Sequence, residues 1–200
     1  MIPAASKADR RACALVVVDI QQRLAAAMHR RDQVVDRAVL LIRTAEILGV
    51  PVVATRQHPK GLGEFESPVA EALERARGAG VPVTVVDKLA FDCFAEECFC
   101  DAVVATGMRQ LVVVGMESHI CVAQTALSGL REGYDVHVAA DGCCSRLAEH
   151  HDLALARLSG AGAVLTTSES VAYELVERAG TDEFKRLLVA VKALGEPSGR

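Results

Sequence analysis

The chain has 200 residues, 51% of them hydrophobic, with 24% charged residues and a formal net charge of −4. That suffices for one substantial core, and the interspersed acids and bases leave no basic patch for a nucleic-acid backbone. Two Tyr, five Phe and no Trp argue against a base-stacking platform, and no apolar run reaches the roughly 20 residues that cross a bilayer.

Residues 12–18 are apolar on successive positions and end at Asp19, which suits a strand buried on both faces. Apolar residues at 35, 38, 41, 42, 45 and 48 predict a helix over 32–48, stopped by Gly49. A second strand is predicted over 51–55, then a loop over 56–66 with Pro59, Gly61 and Gly63. Ser67 reads as the cap of a helix beginning at Pro68 and ending in the glycine break at 78–80. Strand three is placed at 82–86, before Asp87 and Lys88; residues 89–94 are irregular and 95–106 helical.

Residues 111–122 hold the fourth strand and a turn, Gly115-Met116-Glu117-Ser118-His119-Ile120-Cys121, with a helix continuing to about 132. Ser118 is an N-cap residue type three positions before the thiol. It places Cys121 in a first helical turn, where unpaired N–H groups favour a thiolate. Strand five is expected over 136–140, ending at Asp141, a helix over 146–158, strand six over 163–166, and two last helices over 169–178 and 182–194. About 1–10 and 196–200 are expected to fray.

Six apolar strands alternating with helices imply a three-layer α/β/α domain spanning 1–200, with a parallel sheet covered on both faces. In the doubly wound order 3-2-1-4-5-6, strands one and four are neighbours about 4.8 Å apart at the switch point where such sheets bind ligands. Asp19, Lys88 and Cys121 all stand at carboxyl ends of strands. Singly they read as a turn cap, a solvated charge and a buried thiol; together they supply the acid, base and nucleophile of thiol-based acyl transfer. Proton transfer from a free Cys to a free Asp is uphill by about 4.6 pK units, roughly 6 kcal/mol, so Asp19 needs help from Lys88 and the helix start.

The set Val18-Asp19-Ile20-Gln21-Gln22, Asp87-Lys88 with Phe91 and Phe94, Gly115 to Val122, Thr125-Ala126, Gly133-Tyr134, and Asp141 with Ser145-Arg146 resembles the isochorismatase-like cysteine hydrolase superfamily over nearly the whole chain. The resemblance implies a catalytic triad at Asp19, Lys88 and Cys121, and a cis peptide between Met116 and Glu117. It also implies an oxyanion hole from the N–H groups of Glu117 and Cys121. Gln21, Gln57 and Phe91 are the expected substrate-binding residues. Relatives are commonly homo-oligomers, so a dimer or larger assembly is expected.

Nicotinamidase-type members carry an Asp and two His as metal ligands, the Asp where this chain has Gln57, and only His58 is nearby. No metal and no cofactor is therefore expected. Members that hydrolyse isochorismate's vinyl ether typically lack the cysteine, so its presence favours a carbonyl substrate: a small molecule with an amide or related C–N bond. Cys93, Cys98 and Cys100 lack zinc-cluster spacing, Cys143 and Cys144 read as core or pocket-rim packing, and His119 is expected to point away from Cys121. The rival classes are a dinucleotide-binding module and a non-catalytic scaffold; the turn after strand one, 19–24, lacks the glycines the former needs. The polar first residues and seven cysteines, read as reduced thiols, give a cytoplasmic expectation.

Overall fold

The computed structural model describes residues 7–193. Six strands, β1 (Cys13–Val18), β2 (Val52–Gln57), β3 (Val83–Lys88), β4 (Gln110–Met116), β5 (Asp135–Cys144) and β6 (Val164–Thr166), form one sheet. All pairings are parallel and the order is β3-β2-β1-β4-β5-β6, as the alternation of elements implied. The helices are α1 (Gln22–Ala25), α2 (Arg31–Leu48), α3 (Pro59–Leu62), α4 (Ser67–Gly78), α5 (Glu97–Thr106), α6 (Ala123–Arg131), α7 (Ala148–Gly160), α8 (Ser168–Val176) and α9 (Asp182–Ala193).

The central strands serve two cores at once, because successive side chains leave a strand on opposite faces. Leu15 and Val17 of β1, with Val112 and Val114 of β4, pack among Val34, Ala38, Leu41, Leu73 and Val171 from α2, α4 and α8. Val16, Val18, Leu111 and Val113 face the other way, among Phe99, Val103, Ala126 and Leu158 from α5, α6 and α7. In α9, Leu187 and Ala190 pack with Leu40, Ala172 and Val176, with Phe184 and Val191 partly buried against them.

Three sequence readings are corrected. The strands β2 and β3 run longer than the apolar pattern, because register pairing carries them to Gln57 and Lys88, which lie opposite each other. Ser67 lies inside α4, with Glu66 at the cap position and no side-chain cap bond. Residues 7–10 are tied down: Ala8 N–H donates to Glu174 at 2.9 Å, Asp9 N–H to Gln110 at 2.8 Å, and Arg10 pairs with Glu183 at 3.0 Å. The fraying expected of 1–6 and 196–200 concerns residues outside those described. Among the described residues no helix is long and apolar enough to cross a membrane.

Burial sets the chemistry of the thiols. Cys13, Cys93 and Cys144 are pushed up to about 12 from 9.0, in each case chiefly by loss of solvation. Below pH 9 these thiols are protonated folded or unfolded, so their contribution to stability is complete. Above it the unfolded chain ionises while the folded one resists, and each thiol withdraws about 1.4 kcal/mol per pH unit until the folded value is reached. Urea midpoints are therefore expected to fall between pH 9 and 10.5, and Cys13→Ala to make that fall shallower. An equally steep decline in the variant would contradict this account.

Candidate active site

Asp19 leaves β1 at a φ of 54°, a left-handed backbone uncommon outside glycine and tolerated best by Asp and Asn. Its side chain is fully buried, and Lys88 Nζ, equally buried at the end of β3, forms an ion pair with Oδ2 at 2.7 Å. Thr55 Oγ1 donates to the other carboxylate oxygen at 2.7 Å. Lys88 crosses two strand spacings because its stem is long and its backbone lies at the sheet's carboxyl edge. The ammonium also donates to Gln57 Oε1 at 2.6 Å and to the carbonyl of Ala90 at 3.2 Å. Burial is the largest single influence and lowers the Lys88 pKa, but the combined pull of Asp19, Cys93 and Cys121 holds it above its ordinary value.

Cys121 arrives from β4. Gly115, at a φ of 137°, sits where the β4–β5 register shifts and opposite Val18 in β1. The Met116–Glu117 peptide is cis, as the resemblance implied. Residues Ser118–Val122 then form a single π-turn leading into α6. Ser118 is not the cap that the sequence suggested; Glu117 takes that position, and Ser118 Oγ instead meets His151 Nδ1 of α7 at 2.8 Å. On either side of Ser118, Glu117 accepts from the Arg146 N–H at 3.0 Å, and His119 Nδ1 meets Ser145 Oγ at 2.9 Å.

The Cys121 side chain is buried, the residue being only 5% exposed, and it feels the charges of Asp19 and Lys88. Its pKa is raised, first by burial and then by the negative charge of Asp19, against which Lys88 pulls downward without prevailing. Burial and the Asp19 charge thus oppose the thiolate that a helix start favours.

Of the three residues expected to bind substrate, Gln21 is fully buried and its amide is committed to backbone. Its Oε1 accepts from Gln57 N–H at 2.7 Å, and its Nε2 donates to the carbonyls of Gln57 and Gly63 at 3.1 and 2.7 Å. It braces the site and has no amide N–H left for a ligand. Gln57 directs its oxygen at Lys88 and donates from Nε2 to Leu89 O at 2.8 Å. Phe91 is 55% exposed on the loop after β3. Gln57 and the exposed His58 do not fit a divalent metal: the amide oxygen is committed to an ammonium, and one imidazole remains. Among the described residues no group of three His, Cys, Asp or Glu is placed to hold an ion.

Three site residues escaped the sequence reading. Thr55 is the polar interruption of an apolar strand, which was the available signal. Cys93 Sγ lies 4.0 Å from Thr55 Oγ1 in a short 3-10 turn, Cys93–Ala95, brought there by tertiary packing. Glu96 Oε1 accepts the N–H groups of Leu89 and Ala90 at 2.9 and 2.8 Å, and those bonds lower its pKa. Of the remaining thiols, Cys143 and Cys144 are buried in β5, whereas Cys98 is exposed. Thr55→Val keeps the shape but strands a buried carboxylate oxygen, and is expected to cost about 1–3 kcal/mol by urea unfolding. A variant as stable as the parent would remove Thr55 from the network.

A buried acid, ammonium and thiol thus stand together at the carboxyl ends of β1, β3 and β4 of a doubly wound α/β sheet. The isochorismatase domain model matches residues 13–170, and the chain belongs to the isochorismatase family. It is 35% identical over 181 residues to isochorismatase domain-containing protein 1 of Danio rerio, covering 90% of this chain and 61% of that protein. The chain thus spans about three fifths of that relative's length. Among solved structures, the MAR1 ribonuclease from Caenorhabditis elegans superposes with a TM-score of 0.85 at 27% identity, covering 96% of both chains. YcaC from Pseudomonas aeruginosa, determined with hexane-2,5-diol and covalent acrylamide, gives 0.83 at 27% identity, covering 94% of this chain and 93% of that one.

Proposed function

We propose that this protein is a cysteine-dependent hydrolase of a small molecule, cleaving an amide or related C–N bond through a thioester, with no metal or cofactor. The observation that carries the reading is the fully buried Asp19–Lys88 ion pair at 2.7 Å, whose two charges both act on the buried thiol of Cys121. Asp19 takes the thiol proton as sulfur bonds to the carbonyl carbon, so charge moves to the substrate oxygen. The N–H groups of Glu117 and Cys121 are assigned to that oxyanion. The C–N bond then breaks, Asp19 protonates the departing nitrogen, and a thioester remains. Water attacks it with its proton passing to Asp19, and the carboxylic acid leaves as the thiol is restored. Lys88 keeps the buried carboxylate in place through both halves.

The covalent acrylamide of the YcaC relative supports a site open to small electrophilic amides. The ribonuclease name of the C. elegans relative supports RNA as a second substrate class. A net charge of −4 and a thiol nucleophile favour the amide. Self-association belongs to the same proposal, supported by Leu147 and Leu153, 53% and 69% exposed at and on α7. A single monomeric species in sedimentation velocity would overturn that part.

The deciding experiment is a panel of primary amides, ureas and carbamoyl compounds, with a short RNA beside them, read by ammonia release, RNA cleavage and intact mass. Ammonia release with an acyl adduct on the parent, and neither on Cys121→Ala, is the expected result. An adduct or undiminished turnover in the variant would overturn the assignment.

A further inference from the structure

We infer that Gln57, which looks from the sequence like a substrate contact, is the positioning residue that sets where the Lys88 charge sits; this rests on the proposed thiol mechanism. An ammonium has three N–H groups. Those of Lys88 are donated to Gln57 Oε1 at 2.6 Å, the Ala90 carbonyl at 3.2 Å and the Phe91 carbonyl at 3.5 Å, while the charge pairs with Asp19 Oδ2 at 2.7 Å. Gln57 itself cannot drift. Its Nε2 is held by Leu89 O at 2.8 Å, its N–H by Gln21 Oε1 at 2.7 Å, and its carbonyl by Gln21 Nε2 at 3.1 Å. A line of amides therefore runs from Gln21 through Gln57 to Lys88 and fixes the ammonium against Asp19.

The chemistry of an amide at this position matters. It accepts a hydrogen bond without supplying charge, so it orients the cation and leaves its full charge to Asp19 and Cys121. A carboxylate there would accept equally well but would offset the ammonium, leaving the developing thiolate without its counter-charge. The charged and titratable groups around Lys88 are Asp19 at the end of β1, Cys93 and Glu96 after β3, and Cys121 in the π-turn. Those acting on Cys121 are Asp19, Lys88 and Cys93. No second cation is among them, so the placement of this one is decisive.

Gln57→Glu and Gln57→Met keep the shape of the side chain and separate charge from hydrogen bonding. Two readouts are needed: iodoacetamide alkylation of Cys121 followed by peptide mass across pH 7.5–9.5, and kcat and KM on whichever amide the parent hydrolyses. Gln57→Glu is expected to alkylate about tenfold more slowly at each pH, the loss that one unit of raised thiol pKa produces. Both variants are expected to lose about tenfold or more in kcat with KM within about twofold, the pattern of an interaction needed in the transition state. Parent-like alkylation in Gln57→Glu, or a raised KM with kcat intact, would overturn the inference and return Gln57 to the substrate. If the parent releases ammonia from no amide, the proposed activity fails, and the alkylation comparison alone still decides the role of Gln57. Should the Glu variant unfold, Gln57→Met carries the kcat and KM test.

Discussion

Lys88→Met is expected to unfold in urea with about 3–5 kcal/mol less stability than the parent at pH 7, and to hydrolyse nothing detectable. The two side chains of the Asp19–Lys88 pair are both fully buried at 2.7 Å. Removing the cation leaves a buried anion that has lost its counter-charge. The balance differs when both charges go. Asp19→Asn/Lys88→Met is expected to recover a large part of the loss, because no uncompensated charge then remains. Equal stability of the single and double variants would show that the pair is not electrostatically coupled.

Gly115→Ala is expected to be about as damaging, roughly 3–5 kcal/mol, for a steric reason. A Cβ on Gly115 would stand 2.0 Å from the carbonyl oxygen of Val18, and its φ of 137° is one that side chains rarely adopt. The backbones of β1 and β4 approach closely at this point, which brings Cys121 toward Asp19. Gly107→Ala is the control. Gly107 closes α5 at a φ of 69°, and a methyl group there would meet nothing within 4 Å, so only the backbone conformation is strained, by about 1 kcal/mol. If both alanine variants melted alike, close approach at Gly115 would not be the cause.

How far the amino-acid pattern discloses such a site depends on what each feature needs in order to be seen. Runs of valine, leucine and isoleucine between helical stretches are local, and they led to the six-strand order. The residue types Asp19, Lys88 and Cys121 at strand ends were also legible. Register was not: that β2 and β3 continue to Gln57 and Lys88 requires knowing which residues lie side by side. Ser118 has the composition of a cap, yet its hydroxyl found His151, 33 residues later. The raised pKa of Cys121 depended on how thoroughly water is excluded and how near Asp19 lies, and a helix-start argument contains neither quantity. Thr55, Cys93 and Glu96 entered the site through packing, so only Thr55 left a trace in the pattern.

The three side-chain anchors of the π-turn reach only forward along the chain. Glu117 waits for Arg146, Ser118 for His151 and His119 for Ser145, separations of 29, 33 and 26 residues. During synthesis the segment carrying Cys121 is therefore made well before these three partners exist. Asp19 and Lys88 are already available by then, whereas β5 and the start of α7 are not. The π-turn is among the last parts of the site to be locked, and a nascent chain stalled short of residue 145 would carry the Cys121 thiol without any of these three restraints.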